Sequence, residues 1–267
     1  MLLNILISTH WKKQMMSESW IAFPIGILIA SVVSAIGLGG GILWMPFFLI
    51  ILKLRPEIAV LTSLLIQTAG MGSGTAAFLR QKQVDIRLGL FLLSAAVPGI
   101  VAGAHIARKT DASQMEIILG ILVMTTAFLF VSSNEKYDDM GKERVEVKKA
   151  YPYSWVIVLA SVVSGMLSVS MSEWLIPMMR SKLSLRMGNA IATCIFITFG
   201  TCVIGSSVHL IMGGKANLPI VLWAVPGVII GGQIGPRITR MINERLLREI
   251  FIFLLTLVGI HLIYNSW

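Results

Sequence analysis

Eight long apolar blocks alternate with shorter polar intervals along the chain, at 20–52, 56–79, 88–107, 117–133, 153–179, 187–212, 218–236 and 250–264. A helix that crosses a bilayer needs roughly 20 apolar residues. Several blocks reach that length, and the shorter ones extend into weakly polar flanks such as Ala112 to Glu116 and Ile242 to Glu249. The pattern predicts an all-α polytopic membrane protein. Its longest polar interval, Ser132 to Tyr151, leaves four blocks on either side.

The two halves resemble each other. A shift of 131 residues lays Pro46 on Pro177, Leu52 on Leu183, Leu54 on Leu185, Arg55 on Arg186, Ala59 on Ala190 and Thr62 on Thr193. A shift of 128 lays the segment at 97–108, VPGIVAGAHIAR, on VPGVIIGGQIGPR at 225–237. The expected organisation is therefore a transmembrane repeat at 20–133, a linker at 134–151 and a second repeat at 152–265. Such repeats are common in secondary transporters, where the substrate site lies between the halves at broken helices.

Charge then decides the orientation. If the first block of each repeat crosses once, Lys and Arg divide 11 against 11 between the two sides; if it turns back on itself, they divide 7 against 15. Only the second arrangement follows the positive-inside rule. It predicts inverted repeats, a cytoplasmic linker and both termini outside. Length agrees, because 33 residues in one straight helix would run about 50 Å through a hydrocarbon core of about 30 Å. The turn falls in SAIGLGGGILWMP, Ser34 to Pro46, where glycine weakens the helix, and its counterpart is Ser168 to Glu173, SVSMSE. Each repeat thus opens with a broken helix, one at glycines and the other at serines.

Composition agrees with the pattern: 56% of residues are hydrophobic, 13% are charged, and mean hydropathy is +0.83. Soluble domains carry about a quarter charged residues. The net charge of +9 sits at block ends, so it reads as membrane orientation rather than nucleic-acid binding. Leu2 to Ile7 precedes Lys12 and Lys13, the reverse of a signal peptide's charge order. Cys194 and Cys202 share one block about 12 Å apart along a helix, too far for a disulfide.

Irregular backbone at membrane depth persists only inside protein or beside a water-filled cavity. Unpaired N–H groups where a helix restarts after Gly41 would suit an anion. The alternative is that the glycines allow close helix packing, and the motif alone fits both readings. A turn that faces a ligand would tolerate serines at the second break, since hydroxyls also donate hydrogen bonds.

Gly37, Gly39, Gly40, Gly41 and Pro46, followed by Ala59, Thr62 and Ser63, resemble the GxGGGxxxxP and A-x-x-T-S elements of the sulfite exporter TauE/SafE family, the 4-toluene sulfonate uptake permeases. The second repeat keeps Ser164, Gly165, Pro177, Ala190 and Thr193, but has Ser168 to Glu173 where that family has a second glycine run. The resemblance implies a plasma-membrane permease for small anions, often sulfite, sulfonates or sulfoacetate. Its partners would be a small anionic substrate and the lipid bilayer, with no nucleic acid, cofactor or metal.

The expected substrate contacts are Gly37, Gly39, Gly40, Gly41, Thr62, Ser63, Ser168, Ser170, Ser172, Thr193 and Cys194. Glu173, the only acidic residue of its block, is the candidate proton carrier; otherwise it caps a helix N-terminus. Thr62 and Thr193 would either reach a shared cavity or bond back to the preceding helical turn. Gln67, one turn beyond Ser63, would extend the polar track. His105 and Gln233 occupy matching places in the VPG segments, and Asn189 and His209 are weaker candidates. Arg80, Arg87, Arg108 and Arg237 read as anchors at helix ends. A passive anion channel is the alternative function. An intramembrane enzyme is disfavoured, because no HExxH is present and Ser73 has no neighbour marking it as a nucleophile.

Overall fold

The structure is a computed structural model that describes residues 19–36, 39–132, 141–238 and 244–265. Among these residues it is helical throughout, apart from turns and one isolated bridge between Lys142 and Leu185. After a 3-10 turn at Ser19–Ile21 come α1 (Ala22–Ile36) and α2 (Gly41–Pro46), which continues as a π-helical turn at Phe47–Ile51. The first half continues with α3 (Pro56–Arg80), α4 (Ile86–Ala107) and α5 (Ala112–Ser132). A 3-10 segment, Val147–Tyr153, leads to α6 (Ser154–Leu167), α7 (Ser172–Ser181), α8 (Met187–Ile211), α9 (Leu218–Ile238) and α10 (Glu244–Asn265).

Among the described residues, four segments are long and apolar enough to span a membrane: Pro56–Arg80, Ile86–Ala107, Val147–Leu167 and Met187–Ile211. Pro56 opens α3 at its first helical position, where its missing N–H has no role. Asp85 caps α4 by accepting from Leu88 N at 3.2 Å. Apolar side chains point outward along the bundle, as Leu90, Phe128 and Leu222 do, and fit a lipid surround. Polar side chains are buried inside the bundle, among them Thr62, Ser63, Gln67, Ser161, Ser168 and Thr193.

Both long apolar blocks that were expected to break do so: α1 ends at Ile36 and α2 begins at Gly41, and α6 ends at Leu167 before α7 begins at Ser172. Packing then fixes the relative direction of the helices. Leu61 lies against Gly214, Leu64 against Gly205, Gly72 against Phe199, and Thr75 Oγ1 donates to Ile195 O, so α3 and α8 run antiparallel. In contrast α9 runs parallel to α3, with Gly70 on Val228 and Gly232 by Gly74. It is also parallel to α1, with Gly227 on Phe23 and Gly231 on Ile27. By the same reasoning α4 runs parallel to α8, through Gly89 on Phe196 and Leu93 on Gly200. It is parallel to α6 as well, through Gly99 on Val158 and Gly103 on Val162.

Thus α1, α3 and α9 point one way, while α4, α6 and α8 point the other. Since α1 and α3 are parallel, the chain between them has to run back toward the end from which α1 set out. The segment between α6 and α8 likewise runs back toward the end from which α6 set out.

Candidate functional site

The two breaks meet, and one side chain from α3 joins them. Gln67 is the twelfth of the 25 residues of α3, so it stands near the middle of the bundle. Its Oε1 accepts the backbone N–H of Gly41 at 2.8 Å. Its Nε2 donates to the carbonyl of Ser168 at 2.9 Å, to the Ser168 hydroxyl at 2.8 Å and to the Ser63 hydroxyl at 2.9 Å. The orientation of the amide follows from its partners, because a backbone N–H only donates and a carbonyl only accepts. All of these groups are buried.

Backbone geometry explains how Ser168 presents two acceptors at once. It follows the last residue of α6 in the left-handed conformation, φ 58° and ψ 21°, with its N–H bonded to Ser164 O at 2.9 Å. That cap turns its carbonyl out of the helix and toward Gln67. Beyond it, Ser172 N donates to Ser170 Oγ at 2.9 Å, and the Ser170 and Ser172 hydroxyls are hydrogen-bonded to each other.

The contact between the breaks leaves no space for side chains on the glycine side. A β-carbon on Gly39 would lie 1.7 Å from that of Ser170, and one on Gly41 would lie 1.8 Å from the Ser168 carbonyl oxygen. At Gly40 the constraint is looser, with the Trp44 ring at 3.1 Å and Gln67 at 3.3 Å. The difference between the two sequences therefore has a steric basis: the glycine break yields the volume that the serine break fills. Of the two readings that the motif alone left open, close packing is the one this geometry displays, and the Gly41 N–H is taken up by Gln67.

The other expected residues are distributed as follows. Gly37 lies outside the described residues. Glu173 is the second residue of α7, and its side chain also lies outside them. Ser63 joins the breaks through Gln67, and Cys194 is buried beside Thr193 on α8. Thr62 and Thr193 point elsewhere. Thr62 bonds back to Ile58 O at 2.6 Å and accepts from Asn217 N, at the start of α9, at 2.9 Å. Thr193 accepts from Asp85 N, at the start of α4, at 3.0 Å. Each threonine thus holds the beginning of a helix from the other half. His105 is exposed and bonded to Val101 O on its own helix, and Gln233 donates to Ser73 O at 2.9 Å. Neither has a bond to the breaks.

Sequence reasoning missed Asp85. This buried carboxylate caps α4 through Oδ1 and accepts Val145 N, within the linker, at 2.9 Å through Oδ2. An Asp shortly before an apolar block was a readable capping signal; its second partner, 60 residues away, was not.

Comparison with known proteins points to a membrane transporter. A family model described as Sulfite exporter TauE/SafE matches residues 22–262. The chain is 27% identical to "Probable membrane transporter protein YunE" of Bacillus subtilis (strain 168) over 263 residues, covering 91% of this chain and 96% of that protein. It is 26% identical to "Probable membrane transporter protein YjnA" of the same organism over 232 residues, covering 79% and 88%. No solved structure matches the chain.

Proposed function

Since the chain belongs to the sulfite exporter TauE/SafE family, we propose that this membrane transporter is a secondary carrier of small oxyanions across the plasma membrane, with sulfite, sulfonates and sulfoacetate as its substrate class. The observation that carries this reading is the amide of Gln67, which ties Gly41 of one break to Ser168 of the other. These polar groups are buried midway along the bundle, where secondary transporters hold their substrates.

In this reading the repeats are inverted. The antiparallel course of the corresponding helices α3 and α8 supports that, as does the reciprocal pairing of α1 with α9 and of α6 with α4. Each broken helix then enters and leaves on one side, from opposite faces, with the linker cytoplasmic and both termini outside. The packed breaks represent a closed state. Separating them would free Gly41 N–H, the Gln67 amide and the hydroxyls of Ser63, Ser168, Ser170 and Ser172 as donors for an anion. Alternating access would follow as the breaks part toward one side and then the other. Glu173, next to Ser172 at the start of α7, is the proposed proton carrier.

The proposal is tested by uptake of labelled sulfite, methanesulfonate, sulfoacetate and small carboxylates into proteoliposomes, with and without a pH gradient. It requires saturable flux of at least one of these anions above that of empty vesicles. Flux of none of them would overturn it.

A further inference from the structure

A second polar feature lies at the end of the bundle opposite the docked linker. A cavity of about 350 Å³ opens there, lined by Arg55, Arg108, Lys215 and His209 with Glu57 as its one carboxylate. The three cations come from separate parts of the chain, the turn before α3, the end of α4 and the turn after α8, and His209 stands in the last turn of α8. Among the described residues, Arg55, Arg108 and Lys215 make no ion pair, although Glu57 shares their cavity. Anchoring at headgroups accounts for one arginine at a helix end. It does not account for three unpaired cations converging on one concavity with a single carboxylate.

The floor of the cavity is coupled to the second break. His209 is buried, and its Nε2 lies 2.9 Å from the carbonyl of Gly165, so Nε2 carries the proton. Gly165 is three residues before Ser168 on α6. The turn after α8 holds Gly214 against Leu61, six residues before Gln67 on α3. Cavity and breaks are therefore connected through α6 and α3 without sharing a residue.

We propose that this cavity is an anion-collecting vestibule, in which Arg55, Arg108 and Lys215 concentrate a small oxyanion from solution before it reaches the breaks. The inference rests on the anion-transport reading for its purpose, while the accumulation of anions can be measured without transport. Focusing by like charges in a concave site raises local counter-ion concentration by about tenfold or more, and salt weakens it.

The test uses the full chain with Met212→Cys, a lining position, in vesicles of phosphatidylcholine, so that no anionic headgroup competes. The native Cys194 and Cys202 are buried. Thiol labelling is timed with an anionic methanethiosulfonate bearing an ethylsulfonate and with its cationic trimethylammonium analogue, at low and high salt. The vestibule predicts that the anionic reagent gains about tenfold over its ratio on a free thiol at low salt. The gain should shrink at high salt and in the Arg108→Gln/Lys215→Gln background, and methanesulfonate, which does not react with the reagents, should slow the labelling. A free-thiol ratio, or no labelling with either reagent, would overturn the proposal even if the protein carries anions. A raised ratio in a protein that moves no anion would sustain the vestibule and overturn the transport reading instead. A second readout guards against misfolding: Lys215→Gln alone should raise KM for sulfite severalfold with maximal flux retained.

Discussion

Replacing Gln67 with methionine keeps the length and approximate volume of the side chain but removes every hydrogen bond between the breaks that it mediates. Gly41 N–H loses its acceptor, and the Ser168 carbonyl and hydroxyl lose their donor. A buried polar group left without a partner costs about 1–3 kcal/mol, and some relaxation is available at a break, so a total near 3 kcal/mol is expected. At about 2–4 °C per kcal/mol for a chain of this size, thermal unfolding should fall by about 6–12 °C. If the loss falls mainly on the closed arrangement, the closed-to-open equilibrium moves by about 150-fold, because 1.4 kcal/mol is a factor of ten. A cysteine at Ser170, which is 5% exposed, reports that shift through its labelling rate. It should be slow with Gln67 present and at least tenfold faster with Gln67→Met. An unfolding temperature within about 1 °C of the parent, together with unchanged labelling, would refute the idea that this amide holds the breaks together.

Gly41→Ala should drive the breaks apart, since its β-carbon would lie 1.8 Å from the Ser168 carbonyl; overpacking of this kind costs about 1–3 kcal/mol, measurable as lost thermal stability and reduced flux. Thr193→Val removes the acceptor for Asp85 N and Thr62→Val the acceptor for Asn217 N. Each should lower stability by about 1 kcal/mol, and because the sites lie at opposite ends of the bundle the double variant should show the sum, which chemical unfolding would check. Glu173→Gln should flatten the pH dependence of uptake, because a neutral amide carries no proton; a pH profile that matches the parent would remove Glu173 from the mechanism.

The sequence carried the broken helices clearly, because glycine and proline inside an apolar block and the recurrence of Pro46 as Pro177 are local signals. It also showed Gln67 on the face of Ser63, four residues away. It did not show that Gln67 spans to Ser168, 101 residues further on, since a helical face does not identify its neighbour. The matching of Thr62 with Thr193 was legible through the repeat, and their shared task was not. Each serves a helix from the opposite half, which depends on how the halves pack. The serine break illustrates the same limit: Ser170 in place of a glycine becomes intelligible only beside Gly39, whose missing side chain receives it, while Gly41 makes room for the Ser168 backbone carbonyl. Arg108 reads as a headgroup anchor from its place at a helix end, and its convergence with Arg55 and Lys215 on one cavity appears only in three dimensions.

Counterflow tests the carrier account most directly. Proteoliposomes loaded with unlabelled sulfite and diluted into a trace of labelled sulfite should accumulate label transiently above its equilibrium level, because a site exposed to one side at a time returns loaded with label more often than empty. Label that only approaches equilibrium, at a rate linear in concentration, would contradict alternating exposure of the paired breaks and favour an open pore.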